Sequence, residues 1–266
     1  MDSIKIVLEK RRKIIHLIKN GVSIPQISKK LNIGKSTIYY HYRKIKGRKY
    51  PLTKIPVNQR ALGEFLGAFS GDGSFIHERK RGHYTIRFHL HRYDDAQYAQ
   101  YLRKLIEHYF GKKPSTQYVQ PNGLVLKLHS KRIYELISEF LIISPSKSLN
   151  VSLKKPIKEL SEDFLSYFVR GVIDTDGSVD NYGRIVLGLI TKDLIDQISM
   201  MLNKFQIEHK VSVRKSKWKD LHVISIRRMD ASKYLEKSGF SNKRKGKKVR
   251  KPGLSRSYII KLGSVG

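Results

Sequence analysis

Apolar residues recur along the chain in two rhythms, and the change from one to the other divides it. Up to about residue 46 the rhythm is helical. Ile4, Ile6, Val7, Leu8, Ile14, Ile15, Leu17 and Ile18 fall on the turns of one helix, which Asn20-Gly21 stops. Ser23 is placed to cap a short second helix carrying Ile24, Ile27 and Leu31. Asn32-Ile33-Gly34 then turns the chain into a third helix, opened by Lys35 or Ser36 and running from Thr37 to Ile45. Gly47 to Asn58 holds two prolines, several basic residues and no periodicity, as an extended linker does.

Beyond residue 58, helical and alternating stretches follow one order, and that order occurs twice. In the first copy the apolar helix Ala61–Ser70 leads into strands Ser74–Arg79 and Tyr84–Leu90 and helix Asp94–Phe110. Strands Ser115–Gln120 and Leu124–His129, joined across Pro121-Asn122-Gly123, and helix Ser130–Leu141 complete it. In the second copy helix Phe164–Asp174 leads into strands Ser178–Asp180 and Arg184–Ile190 and helix Lys192–Phe205. Strands Lys210–Lys215 and His222–Arg227 and helix Met229–Ser238 end it. The pattern predicts an α/β (α+β) protein of two pseudo-symmetric αββαββα repeats behind an all-α N-terminal domain. The expected divisions are 1–46, a linker over 47–58, a first repeat over 59–155, and a second over 156–266 with a basic tail.

Alternation also assigns the faces of the sheet. Tyr84, Ile86, Phe88 and Leu90 point one way, and Thr85, Arg87, His89 and His91 the other. The first set packs under helices and the second is open and basic. Charge gives that face a meaning, because 54 Lys and Arg against 22 Asp and Glu leave a net +32. So positive a surface repels itself unless it neutralises a polyanion, usually nucleic acid. A ribosomal-type protein or a merely solvated lysine halo is the bland alternative. A basic sheet face suits the major groove of double-stranded DNA. The segment SIPQISKKLNIGKSTIYYHYRKI has the spacing of a helix-turn-helix, with a plain helical hairpin as the alternative. Its third helix would offer Lys35, Ser36, Thr37, Tyr39, Tyr40 and Arg43 to DNA.

The absence of cysteine removes disulfides, zinc knuckles and thiol catalysis. His83, His89 and His91 are spread along one strand rather than convergent, which suits DNA contact better than zinc. A charged N-terminus and the lack of any apolar run of membrane length predict a cytoplasmic protein, nucleoid-associated through its DNA. Trp218, in the basic turn Lys215–Lys219, is either a contact to sugar or base or an ordinary hairpin anchor.

The chemistry lies in two matching nonamers, Phe65-Leu66-Gly67-Ala68-Phe69-Ser70-Gly71-Asp72-Gly73 and Val169-Arg170-Gly171-Val172-Ile173-Asp174-Thr175-Asp176-Gly177. Each is a helix with a glycine, Gly67 or Gly171, where another backbone can come close, and an acid before a glycine turn. Packed side by side, two such helices bring Asp72 and Asp176 together. Paired carboxylates repel unless a cation lies between them, and a hard divalent ion accepts carboxylate, water and phosphate oxygens.

These nonamers, about a hundred residues apart and each leading into the same element order, resemble the LAGLIDADG motif of the homing endonucleases. The resemblance covers about residues 59 to 252. It implies a single-chain, monomeric, Mg²⁺- or Mn²⁺-dependent enzyme that cuts one phosphodiester on each strand of a long, pseudo-symmetric DNA site. It implies metal binding by Asp72 and Asp176 with their neighbours Gly71 and Thr175. Position six of the motif is Ser70 in one copy and Asp174 in the other, and neither is assigned to the metal. It places a catalytic lysine late in each repeat, Lys147 in the first and Lys245 in the second, the latter with Lys243 and Lys247 as neighbours in an open register. Plain phosphate contact is the alternative for each. Asp94 and Lys192 match polar positions near the water network, whereas Asp95 and Asp193 suit helix caps. The DNA-facing set on the sheets becomes Arg79, Thr85, Arg87, His89, His91 and Lys127 in the first repeat. In the second it is Arg184, Lys192, Arg214, Lys217 and Arg227. Two other functions fit the same pattern: a transcription regulator on a LAGLIDADG scaffold, and a maturase binding intron RNA through the same basic saddle.

Overall fold

The computed structural model describes residues 2–47, 53–78, 82–143 and 151–249. The chain divides into two compact units, residues 1–52 and 53–266. Part of the expected linker lies outside the described residues.

The first unit holds three helices, α1 (Asp2–Lys19), α2 (Ile24–Leu31) and α3 (Lys35–Lys46). Ile14, Ile18, Ile27 and Ile38, one or two from each helix, form its buried centre. At the start of α2 both the backbone N–H and the hydroxyl of Ser23 donate to Gln26 Oε1, at 3.2 and 2.8 Å, and fix the entry angle. Asn32 ends α2 in the left-handed conformation at φ 52°, which asparagine tolerates. Gly34, rather than Lys35 or Ser36, occupies the cap position of α3.

The second unit repeats one topology. Helix α4 (Gln59–Asp72) is followed by β1 (Gly73–Glu78), β2 (His83–His91), α5 (Ala96–Phe110), β3 (Ser115–Val119), β4 (Gly123–His129) and α6 (Lys131–Phe140). A short antiparallel pair, β5 (Leu141–Ile143) and β6 (Val151–Leu153), joins the halves. Then come α7 (Glu162–Asp176), β7 (Gly177–Val179), β8 (Ile185–Leu189), α8 (Lys192–Lys204), β9 (Lys210–Arg214), β10 (Leu221–Ile226), α9 (Ala231–Lys237) and α10 (Lys243–Lys248). Each half carries a four-stranded antiparallel sheet, β1-β2-β4-β3 and β7-β8-β10-β9. The helices cover one face of each sheet, with Ile86, Phe88, Leu126, Leu187, Ile224 and Ile226 among the buried core side chains.

Two elements differ from expectation. Helix α5 begins at Ala96, not Asp94, because the Asp95 carboxylate accepts from the His91 backbone N–H and holds the preceding turn closed. Helix α10 and the β5–β6 pair follow no amphipathic period, being too short to show one.

The two motif helices meet backbone to backbone along a stripe of glycines. A Cβ on Gly63 would lie 2.2 Å from the Phe164 carbonyl oxygen, and one on Gly67 would lie 2.1 Å from that of Phe168. On the opposite helix a Cβ on Gly171 would lie 2.5 Å from Ala68 N and 2.5 Å from Glu64 O. No side chain fits in such gaps, so the sequence selects glycine by steric exclusion. Around this seam Phe65, Phe69, Phe164 and Phe168 are fully buried, each contributing about 1.5–3 kcal/mol by leaving water.

Candidate active site and nucleic-acid interface

Both motif helices end on their acid. The N–H groups of Gly73 and Gly177 donate to the carbonyls of Phe69 and Ile173 and close the last turns. Neither glycine adopts the left-handed backbone, the φ values being −79° and −74°. Glycine is needed for room instead, since a Cβ would sit 2.4 Å from Phe69 O in one and 2.6 Å from Ile173 O in the other.

Asp72 and Asp176 line one cleft of about 470 Å³. Ser70, Gly71 and His89 of the first repeat and Gly188, Thr191 and Leu221 of the second are among its walls. Gly71 sets the spacing: a Cβ there would lie 2.0 Å from Thr175 Oγ1 and 2.7 Å from Asp176 Oδ2. The acid of one repeat thus packs against the bare backbone of the other. Thr175, the matching residue of the second motif, donates its hydroxyl to the carbonyls of Gly171 and Val172 at 3.0 and 2.9 Å. Among the described residues no group of three or more acidic, imidazole or thiol side chains forms a closed metal cage. Two carboxylates facing an open cleft match a hard cation that takes its other ligands from phosphate and water.

Beneath the cleft lies a buried polar layer that spans both repeats. Arg170 of α7 approaches the Glu64 carboxylate of α4 at 4.0 Å, and Tyr101 of α5 donates to Glu64 at 2.9 Å. Burial raises the Glu64 pKa, opposed first by Arg170. The Arg170 guanidinium stacks 3.9 Å from the centre of the Tyr167 ring and donates to the Ser238 carbonyl. Asp174 is fully enclosed and accepts from the Ser241 N–H at 2.8 Å; burial pushes its pKa up to about 7, with the Glu64 charge adding to the effect. None of these partners was legible from the motif, although a Glu and an Arg within apolar helices were the clue.

Lys245 departs most from its expected role. It is buried, and its ammonium donates to the carbonyls of Ile173, Asp174 and Thr175 at 3.0, 2.6 and 2.8 Å. All three donors are engaged, so it caps the end of the helix that carries Asp176. Burial draws its pKa below the usual lysine range, while Asp174, Asp95, Asp72 and Asp176 act in the other direction. Next to it Asn242 donates to Asp95 Oδ1 at 3.1 Å and to the Asp174 carbonyl at 3.3 Å, and Arg244 reaches Asp95 at 3.3 Å. The start of α10 therefore ties the second acid's helix to the first repeat. Lys243 and Lys247 share that short helix. Lys147 and Arg79 lie outside the described residues.

The remaining predicted contacts divide by environment. On α3, Lys35, Ser36, Thr37, Tyr40 and Arg43 are exposed, whereas Tyr39 is half-buried and stacks on Tyr42 at 6.4 Å. The Lys44 ammonium lies 4.7 Å from the Tyr40 ring centre and lowers that phenol's pKa. On the open face of the first sheet His89 is exposed and bonded to Ser74 Oγ at 2.9 Å, while Arg87, His91 and Lys127 are half-buried. Thr85 does not stand exposed there: it is 6% accessible, with its hydroxyl bonded to His129 Nδ1 at 2.9 Å. Alternation names the face a residue lies on but not what covers it. Asp94 is engaged with His91, its N–H donating to Nδ1 at 3.2 Å.

In the second repeat Arg184 pairs with Asp180 at 3.0 Å, Arg227 with Asp230 at 3.2 Å, and Lys192 with Asp196. Arg214 and Lys217 are exposed, and Asp193 lies in the first turn of α8. Trp218 is 92% exposed and anchors no hairpin.

Comparison with known proteins matches this architecture. A LAGLIDADG-like domain is found over residues 163–239, a WhiA LAGLIDADG-like domain over 63–152, and a homeodomain-like domain over 5–48. The chain thus carries two LAGLIDADG-like domains in tandem behind a homeodomain-like helix-turn-helix. Among solved structures, mesophilic variants of the homing endonuclease I-DmoI align at 15% identity and a TM-score of 0.54, covering 68% of this chain and 97% of that one. I-DmoI in complex with DNA and Mn aligns at 17% identity and a TM-score of 0.53 with the same coverage. The N-terminal LAGLIDADG domain of WhiA aligns at 14% identity and a TM-score of 0.46, covering 79% and 89%. At these identities the likeness to I-DmoI establishes the fold. No match was found among curated proteins. No helix among the described residues is long and apolar enough to cross a membrane.

Proposed function

We propose that the chain is a site-specific, divalent-cation-dependent endonuclease acting on double-stranded DNA. The observation that carries the reading is that Asp72 and Asp176 line one cleft at the ends of two backbone-packed helices. Asp72 and Asp176, with the backbone of Gly71 and Thr175, would hold Mg²⁺ or Mn²⁺. When bound, such an ion neutralises phosphate charge and makes water a better nucleophile near neutral pH. The protein's own part is positional. The glycine seam fixes the separation of the acids, and Lys245, holding three carbonyls, keeps the Asp176 helix end in place. Lys147, the other lysine that the family resemblance implies, would be the cation beside the phosphate in this reading. The open sheet faces lie in adjacent turns of major groove, and because both acids come from one chain the acting species is a monomer. The N-terminal unit is a second DNA-binding module, joined to a core that begins at residue 53.

A regulator that binds the same DNA without cutting it is the second reading, and the WhiA LAGLIDADG-like match over 63–152 favours it. Cleavage of a plasmid library in Mg²⁺ or Mn²⁺ tests the two. The endonuclease reading expects double-strand cuts at a selected site, abolished by Asp176→Asn or Asp72→Asn with binding retained. Binding without cuts in either metal supports the regulator, and preference for intron RNA supports a maturase. Removing residues 1–52 is expected to weaken binding by roughly 10²-fold through loss of tethering, and to flatten its salt dependence, without moving the cut.

A further inference from the structure

The strand registers allow the open faces of the two sheets to be superposed position by position, and they differ in chemistry. Gly73 pairs with Phe88 and Gly177 with Leu187, so the residues flanking these two correspond. Arg87 of the first sheet therefore matches Val186 of the second, and His89 matches Gly188. Arg87 faces Lys127 on the next strand, whereas Val186 faces Ser225. Leu221 leans over Gly188, its Cδ2 3.2 Å from where a Cβ would lie. With a valine beside each, Val125 opposite His89 and Val223 opposite Gly188, the middle of the first platform carries two cations and an imidazole where that of the second carries Val186, Ser225 and a bare glycine.

Positive charge is not missing from the second platform but displaced to its edge. Lys210 and Arg214 stand on the outermost strand β9, opposite Ser225 and Leu221. Arg184 and Arg227 are already paired with Asp180 and Asp230. Edge cations suit phosphates, which position a duplex without reading it. Central cations suit the guanine O6 and N7 acceptors, and aliphatic side chains suit the thymine methyl group.

We infer that the two halves of the bound DNA are recognised by different chemistries. The half under the first repeat is specified by guanine through Arg87 and Lys127. The half under the second is specified by thymine methyls through Val186 and Leu221. This rests on the proposed DNA-binding platform, although not on cleavage. The target is accordingly a lopsided pseudo-palindrome, with most of the discrimination in its guanine-bearing half.

The test is selection of bound sequences from randomised duplex DNA by the full chain, without metal, repeated with Arg87→Ala, Leu221→Ala and Arg43→Ala. Positions that respond to Arg43→Ala belong to the N-terminal unit and are set aside. Arg87→Ala is expected to lower guanine preference about tenfold or more in one half-site only. Replacing thymine by deoxyuridine in the other half-site is expected to weaken binding by roughly threefold to fivefold per methyl contacted. Leu221→Ala should erase part of that difference. The uridine swap uses the unaltered protein, so it stands even if Leu221→Ala fails to fold. Equal guanine enrichment in both half-sites, or a swap felt equally in both, overturns the inference and leaves the endonuclease reading intact. Failure to enrich any sequence that Arg43→Ala leaves unchanged overturns both.

Discussion

The ends of the two motif helices, α4 and α7, do the same task with different materials. Helix α4 reaches Asp72 through bare backbone: Gly63, Gly67 and Gly71 lie on its contact side, and Ser70 turns its hydroxyl back to the Leu66 carbonyl of its own helix. Helix α7 reaches Asp176 through a buried polar scaffold of Arg170, Asp174 and Lys245, tied down by Asn242 from α10. One acid is placed by what is absent, the other by what is bonded. Topological symmetry does not require chemical symmetry: both helices are glycine where they cross, at Gly67 and Gly171, but α4 alone is bare at the flanking contacts of Gly63 and Gly71. The buried charges that α7 adds at Arg170 and Asp174 must then be satisfied in the interior.

The sharpest way to break the comparison is to make α7 like α4 at the second motif position, where Arg170 faces the role that Leu66 plays. Among the described residues Arg170 is the cation beside the buried Glu64 carboxylate, and Arg170→Leu removes it. Unfolding free energy is expected to fall by about 3–5 kcal/mol, read by urea denaturation. Adding Glu64→Leu should restore most of it, since removing a whole buried pair costs far less than breaking it. A double variant no more stable than Arg170→Leu alone would mean the pair is not coupled.

The reverse operation gives α4 a side chain. Gly67→Val would place a Cβ 2.1 Å from a backbone oxygen that cannot swing aside, and about 3 kcal/mol of destabilisation is expected. Gly188→Ala on the open sheet face meets only the flexible Leu221 side chain and should change stability by less than about 0.5 kcal/mol. Similar losses from both substitutions would contradict the backbone seam. A smaller loss than from Arg170→Leu or Gly67→Val is expected from Lys245→Met, which removes three bonds to carbonyls at the end of α7. A loss of about 2 kcal/mol follows from charge-assisted bonds of this kind. If Lys245 positions Asp176, Lys245→Met slows the strand cut by that acid while leaving DNA affinity nearly unchanged. If stability is unaffected and all cutting stops, the lysine works at the phosphate instead.

How much of this was legible follows from the range of each interaction. The repeat, the paired nonamers and the strand faces are written in local periodicity, and Gly67 and Gly171 announce the seam because glycine within a helix needs a reason. The buried layer is not local: Glu64 meets Arg170 only once both repeats have folded against each other, and Lys245 meets the end of α7 across about 70 residues of its own repeat. A lysine in a basic run looks like every other lysine until its carbonyl partners are placed. Thr85 illustrates the limit of alternation, which located it on the open face but did not reveal His129 lying against it.

Trp218 has a consequence of a practical kind. It is the chain's single tryptophan, and it stands 92% exposed in the loop between β9 and β10 of the second repeat. Intrinsic indole emission from this protein therefore comes from one side chain on one half. An indole leaving water for the surface of a sugar or base moves its emission to shorter wavelength or is quenched. In the proposed reading the molecule carries a label for engagement of its second half, to whose indole emission the N-terminal unit and the first repeat contribute nothing.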